Sequence, residues 1–175
     1  MEEKVLGDYR IFRVVELTQD TDHGPRKRFV ARHPGAAVIV PILDDGRICL
    51  IENFRIAVNK PLIELPAGTL EPGEDPAETA RRELAEETGY RATSIEPLTT
   101  IYSSPGVFDE QMHLYVATGL TPGEMALEAG EQIVPRLIPW REALDMVISN
   151  EIEDGKTVVG LLAAHAKGLF EGKGG

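Results

Sequence analysis

Three glutamates, Glu83, Glu86 and Glu87, stand at i, i+3 and i+4 within the run GTLEPGEDPAETARRELAEETGY, Gly68 to Tyr90. On a helix that spacing puts all three on one face. Like charges so placed repel by about a few tenths of a kcal/mol per pair, so the arrangement asks for a cation. Glu74, one turn before the helix, can join them through the loop. A hard divalent ion takes oxygen ligands, and Mg²⁺ commonly takes one or two carboxylates plus the phosphate oxygens of a substrate. The face is therefore a candidate magnesium site acting on a phosphate compound. The same spacing also suits a solvated face, with Arg82 and Glu86 as an ordinary i, i+4 ion pair. Helical spacing alone leaves both readings open.

The elements that must position these residues carry clear boundary signals. Asp75 can cap a helix, Pro76 suits its first position and Gly89 suits a left-handed exit, which predicts a helix over Pro76–Thr88. Before it, Ile11–Leu17 and Arg28–Arg32 read as two strands around a polar turn, Thr18–Pro25. Ala36–Leu43 and Arg47–Phe54 read as strands joined through Asp44-Asp45-Gly46, a hairpin signal. Ile63–Leu65 reads as a short strand leading into Pro66-Ala67-Gly68. Thr93–Ile101, Gln111–Thr118 and Arg136–Ile138 read as further strands, with closing helices at about Trp140–Ser149 and Thr157–Leu169. That order suggests a mixed α/β sandwich.

Length and composition set the limits. The 175 residues suit about one domain, and 42% hydrophobic with 27% charged residues is a globular composition. The net charge of -11 disfavours bulk nucleic-acid binding, although a metal ion can reverse the local field for a small anion. A single cysteine, Cys49, excludes an intramolecular disulfide framework and a multi-cysteine zinc site. No run reaches the ~20 apolar residues of a membrane span. The expectation is a cytoplasmic protein bound to neither membrane nor nucleic acid.

The Gly68–Tyr90 run resembles the Nudix box, Gly-x5-Glu-x7-Arg-Glu-U-x-Glu-Glu-x-Gly-U, where U is a bulky aliphatic residue. Gly68, Glu74, Arg82, Glu83, Leu84, Glu86, Glu87 and Gly89 fall in register, and Tyr90 stands aromatic at the last U. Seven identities plus one apolar match arise by chance on the order of once in 10⁹ starting positions. The resemblance implies an α/β/α sandwich of Nudix type with a mixed sheet, preceded by a small N-terminal β-hairpin. It divides the chain into a hairpin and dimerisation segment at 1–34, a Nudix hydrolase domain at 35–170 and a flexible tail at 171–175. It implies Glu83 and Glu87 as ligands of Mg²⁺, with Mn²⁺ as substitute, and Glu86 as a ligand or close supporting carboxylate with a catalytic part. The Ala67 carbonyl is similar to a further ligand in one branch. Arg82 and Glu74 would orient the carboxylates, while Gly68 and Gly89 would make the tight turns at either end.

Features outside the box are similar to the ADP-ribose pyrophosphatase branch. Pro105 lies 16 residues after Gly89 in Tyr102-Ser103-Ser104-Pro105-Gly106, Leu65-Pro66-Ala67-Gly68 enters the box, and Glu52-Asn53-Phe54-Arg55 offers Arg55 to a phosphate. The likeness implies hydrolysis of ADP-ribose to AMP and ribose 5-phosphate. That branch places a further glutamate on a loop after the box, which points to Glu131 as general base with Glu128 as competitor. Glu110 would sit near the substrate, and Phe29, with Tyr9 and Phe12, could stack on adenine or serve as core or interface. The branch also implies a homodimer joined through the N-terminal segment. Two other readings stay open: a pyrophosphatase for another nucleotide sugar such as GDP-mannose, and a non-catalytic domain that senses ADP-ribose. Ser103 and Ser104 lack a nucleophile elbow, and the four histidines lack metal-ligand spacing.

Overall fold

The computed structural model describes residues 1–127, 130 and 132–171. Its elements run β1 (Glu2–Asp8), β2 (Arg13–Thr21), β3 (Gly24–Arg32), β4 (Ala36–Pro41), β5 (Arg47–Arg55), β6 (Lys60–Glu64), β7 (Ala67–Thr69), α1 (Pro76–Thr88), β8 (Tyr90–Tyr102), β9 (Gln111–Pro122), β10 (Ile133–Pro139), α2 (Trp140–Ile148) and α3 (Gly155–Ala166). They form three sheets, ordered β1-β2-β3, β10-β5-β6 and β7-β4-β9-β8.

Strand β4 organises the centre. All six of its residues are buried, as an apolar strand covered on both faces must be. Ala37 and Ile39 face a cluster with Ala80 and Leu84 of α1, Tyr115 and Ala117. Val38 and Val40 face the larger cluster, which holds Ile48, Leu50, Leu65, Leu114, Trp140, Leu161 and Phe170. The four-stranded sheet thus has α1 on one side and α2, α3 and the β10-β5-β6 sheet on the other. The β4–β9 pair is parallel and its neighbours antiparallel, so the sheet is mixed, as expected. Cys49 lies in the core, and burial pushes its thiol up to about 12.

Three local expectations are modified by tertiary pairing. The N-terminal hairpin is present but longer: its turn shrinks to Asp22-His23, and β1 adds a third strand through pairs such as Val5 with Val15. The polar residues Thr18–Thr21 tolerate strand geometry because their side chains remain solvated. At Asp44-Asp45-Gly46 the turn forms, with Gly46 at φ 83°, but the flanking strands meet only at Ile42 and Ile48. Beyond that bridge each strand goes to a different sheet, because both are buried on two faces and each finds longer partners. Strand β10 covers Ile133–Pro139, wider than the three residues expected, and Pro135 fits because β10 is an edge strand.

Helix α3 lies unusually close to the sheet at Gly160. A Cβ there would stand 2.5 Å from Leu65 Cδ1 and 3.4 Å from both Leu114 Cδ2 and Val40 Cγ2. Among the described residues no helix is long and apolar enough to cross a membrane. Gly160→Ala is expected to destabilise the fold by about 1–3 kcal/mol through overpacking, exceeding the roughly 1 kcal/mol that alanine gains in helix propensity. Denaturant unfolding checks this, and a midpoint equal to or above wild type would contradict it.

Candidate active site

Helix α1 begins where its sequence signals place it. Asp75 accepts from the Ala77 N–H at 2.8 Å, Pro76 opens the helix, and Gly89 closes it at φ 74° with its N–H on Ala85 O. With Ala80 and Leu84 turned onto β4, the adjoining face carries the glutamates toward the β7 backbone. Strand β7 is held to β4 through Ala67 opposite Val38 and Gly68 opposite Ala37.

Gly68 has a steric role rather than the turn role expected from the sequence. A Cβ on it would lie 1.9 Å from Glu83 Oε1, so only glycine lets that carboxylate rest against the strand. Glu87, 4% exposed, accepts from the Ala67 N–H through Oε2 at 2.9 Å. Arg82 gathers the remaining acids. Its Nη1 donates to Glu83 Oε1 at 2.6 Å and to Glu86 Oε2 at 3.2 Å. Its Nε and Nη2 donate to the two oxygens of Glu74 at 3.3 and 3.2 Å. Hydrogen bonding to Arg82 holds the Glu74 carboxyl down at about 2, and the same pair raises the Arg82 guanidinium above its ordinary value.

The donor set suits a hard divalent cation, because Glu83, Glu86 and Glu87 offer only oxygen and Gly68 leaves the space the Glu83 carboxylate fills. Among the described residues no three acidic, histidine or cysteine side chains already converge as a metal cage, since Arg82 and the Ala67 amide take up the carboxylates. An ion would therefore have to compete with Arg82 for Glu83 and Glu86.

Arg55, at the end of β5, donates from Nε and Nη2 to the two oxygens of Glu64 at 2.7 and 2.5 Å. Arg55 also lies within electrostatic reach of Glu87, and hydrogen bonding to Glu64 is the main cause of its raised pKa. Burial pushes Glu64 up, but Arg55 and Lys156 outweigh that and hold its carboxyl below the ordinary range. Position 55 was singled out in the sequence. Its partners Glu64, Lys156 and Asp154 were not, because Lys156 and Glu64 are 92 residues apart. The only available signal was Asp154 ahead of Gly155-Lys156-Thr157, which reads as a helix cap and does cap α3.

Glu110, 9% exposed, stands 3.5 Å from His33 Nδ1, which accepts from the Gly35 N–H. Gly35 O in turn accepts from Leu70 N–H at the entry to the box. Pro105 lies in the 103–110 loop, which docks on β3: Ala31 N–H donates to Val107 O and Arg32 Nη1 donates to Asp109 Oδ2 at 2.9 Å. Phe29 belongs to the N-terminal sheet, exposed and opposite Glu16, so within one chain it is not gathered with the carboxylates. Tyr9 and Phe12 pair with ring centroids 5.4 Å apart beside a cleft of about 480 Å³ that Arg32, His33 and Asp109 also line. Glu128 and Glu131 lie outside the described residues.

With this geometry in place, comparison with known proteins decides the family. The family model for the NUDIX domain matches residues 31–158. The chain belongs to the Nudix family. It is 42% identical over 166 residues, 90% of each chain, to a protein of Bacillus methanolicus named methanol dehydrogenase activator. It is 36% identical to an ADP-ribose pyrophosphatase of Bacillus subtilis (strain 168), over 90% of this chain and 89% of that one. A crystal structure described as an ADP compounds hydrolase superposes with a TM-score of 0.80 at 24% identity, covering 99% of this chain and 97% of the other. This Nudix chain therefore shares the overall fold of that hydrolase.

The Arg82–Glu74 pair has a pH signature. Glu74 is held at about 2 in the folded chain, below its ordinary value near 4.5, so the stability it adds is complete above about pH 4.5 and lost as pH falls toward 2. The melting-temperature gap between wild type and Arg82→Met should accordingly narrow from about pH 6 to about pH 3. A gap independent of pH would show that Glu74 gains nothing from Arg82.

Proposed function

We propose that the chain is a metal-dependent Nudix hydrolase that splits the pyrophosphate bond of ADP-ribose into AMP and ribose 5-phosphate. The observation that carries the reading is the complete box: Arg82 gathers Glu74, Glu83 and Glu86, Gly68 makes room for Glu83, and Glu87 faces Ala67. The 36% identity to the Bacillus subtilis ADP-ribose pyrophosphatase over nearly the full length of both chains supports the choice of substrate.

Glu83, Glu86, Glu87 and the Ala67 carbonyl would hold a divalent ion, Mg²⁺ or its substitute Mn²⁺. When bound, such an ion neutralises phosphate charge and lowers the pKa of an attacking water. Arg55 binds a phosphate oxygen with donors that Glu64 leaves over. Glu86, half exposed beside Arg82, contributes a carboxylate at the reacting edge, and Glu131 supplies the general base. Glu110 and Pro105 border the sugar-bearing side, and Phe29 stacks on adenine across a dimer interface. Gly89, Arg82 and Glu74 keep the helix and its acids in place without touching substrate.

The N-terminal sheet supports a homodimer. It exposes Val5, Leu6, Tyr9, Ile11 and Phe29. Residues 1–34 carry seven Lys/Arg against six Asp/Glu, while the rest of the chain carries 11 against 23. A nearly neutral, apolar sheet on one copy can thus meet the acidic body of the other without the repulsion that two acidic surfaces would face. Sedimentation velocity at micromolar concentration should give the dimer mass, and a Phe29→Asp variant should shift toward monomer. A wild-type monomer would overturn this assembly. The cytoplasm is the proposed location, in keeping with a single buried cysteine.

Relatives named GDP-mannose pyrophosphatase, one of them 32% identical, keep that sugar nucleotide as the alternative substrate. Mass spectrometry of products after incubation with Mg²⁺ and either ADP-ribose or GDP-mannose separates the two. AMP and ribose 5-phosphate should form from ADP-ribose at a rate about 10²-fold or more above that of Glu87→Gln. GMP and mannose 1-phosphate as the faster products would transfer the function to GDP-mannose. No turnover of either would point to a sensing domain.

A further inference from the structure

The first turn of α3 reaches back to the two residues that precede the Pro66-Ala67-Gly68 entry. Glu64 is 1% exposed, so its charge is buried and must be paired. Both of its oxygens accept from Arg55, and Oε2 also accepts from Lys156 Nζ at 2.5 Å. The Lys156 side chain is itself 9% exposed and donates a second bond to Asp154 Oδ2 at 3.0 Å. Thr157 Oγ1 donates to the same Asp154 oxygen at 2.6 Å and accepts from Leu65 N–H at 2.7 Å. One helical turn, Asp154 to Thr157, therefore secures both the Glu64 carboxylate and the Leu65 amide.

This arrangement does more than cover a buried charge. Lys156 shares the Glu64 carboxylate with Arg55 and is itself paired with Asp154, so the four groups balance in charge and what they give Arg55 is a fixed place. The bidentate pair also freezes the guanidinium plane by its Nε and Nη2 edge, while the Arg55 side chain stays 42% exposed toward solvent. A long, flexible side chain held in this way loses its rotamer freedom before the ligand arrives.

We infer that Glu64, backed by Lys156, is the positioning residue for Arg55, orienting its guanidinium toward the substrate pyrophosphate. The inference rests on the proposed phosphate contact of Arg55 and adds the residues that give that contact its geometry. Glu64 acts through Arg55 and does not itself touch substrate.

A double-mutant cycle tests it, using the full chain with ADP-ribose and Mg²⁺. Glu64→Gln should raise KM about tenfold or more while kcat changes less than about threefold, the pattern of a lost binding contact. In an Arg55→Ala background the same substitution should cost less than about twofold. A role confined to holding the fold would instead lower kcat, or multiply the loss in both backgrounds, and would overturn the inference. Should Glu64→Gln fail to fold, Lys156→Met takes its place, with a smaller KM rise expected and the same silence beside Arg55→Ala.

A second readout needs no turnover. The Arg55 Nε–H resonance, assigned by its absence in Arg55→Lys, should exchange with water about tenfold faster in Glu64→Gln. Unchanged exchange would overturn the positioning role. Failure of wild type to hydrolyse ADP-ribose would remove the substrate assignment alone, leaving the exchange measurement to decide the role of Glu64.

Discussion

Arg82 brings one positive charge to three carboxylates that would otherwise repel one another on and beside a single helix turn. Without that guanidinium, Glu74, Glu83 and Glu86 would spread into solvent, each gaining hydration and losing its neighbours. With it, they are gathered around one guanidinium, and Gly68 on β7 has no side chain to obstruct Glu83. Glu87 is drawn in separately by the Ala67 amide. Carboxylates that would hold a divalent ion are thereby kept close to one another by a guanidinium.

The rest of the architecture serves that cluster from behind. The box helix lies on Ala37 and Ile39 through Ala80 and Leu84, which fixes its height over the sheet. On the opposite face, α3 packs so closely that a Cβ at 160 would push the Leu65 side chain aside, and the N-terminal turn of that helix grips residues 64 and 65. The entry strand is thereby held from two directions, by the sheet along its length and by α3 just before it. The N-terminal sheet stands apart from this core. It is tied to the body through Arg32 and Asp109 and through the Ala31 backbone on the 103–110 loop. Its exposed apolar residues find no cover within one chain.

Local signals made much of this legible before any coordinates. Asp75, Pro76 and Gly89 bounded the box helix because capping and left-handed exit are properties of a few adjacent residues. The spacing of Glu83, Glu86 and Glu87 put them on one face for the same local reason. The strand at Ala36–Pro41 was legible from an unbroken apolar run, and the structure adds that it is buried on both faces. Where the reading fell short, the deciding contact was remote. Thr18–Pro25 looked like a turn from its polarity, yet hydrogen bonding across β1, β2 and β3 carried the strands through most of it. Asp44-Asp45-Gly46 made its turn, but partners from elsewhere parted the strands beyond Ile42 and Ile48.

The sequence by itself determined the helix, its caps and the acidic face, because each rests on residues within a few positions of one another, and the membership of the box, because residue types at fixed spacing within one run carry it. Only the tertiary structure decided that Gly68 is needed for Glu83 rather than for a turn, and that Arg55 answers to Glu64. It alone also brought Lys156 and Thr157 to the entry strand. Those contacts join residues 9 to 92 positions apart, or depend on a distance between a strand and a helix face. Spacing along a chain carries no information about such distances until the sheet and its two helical layers have set them.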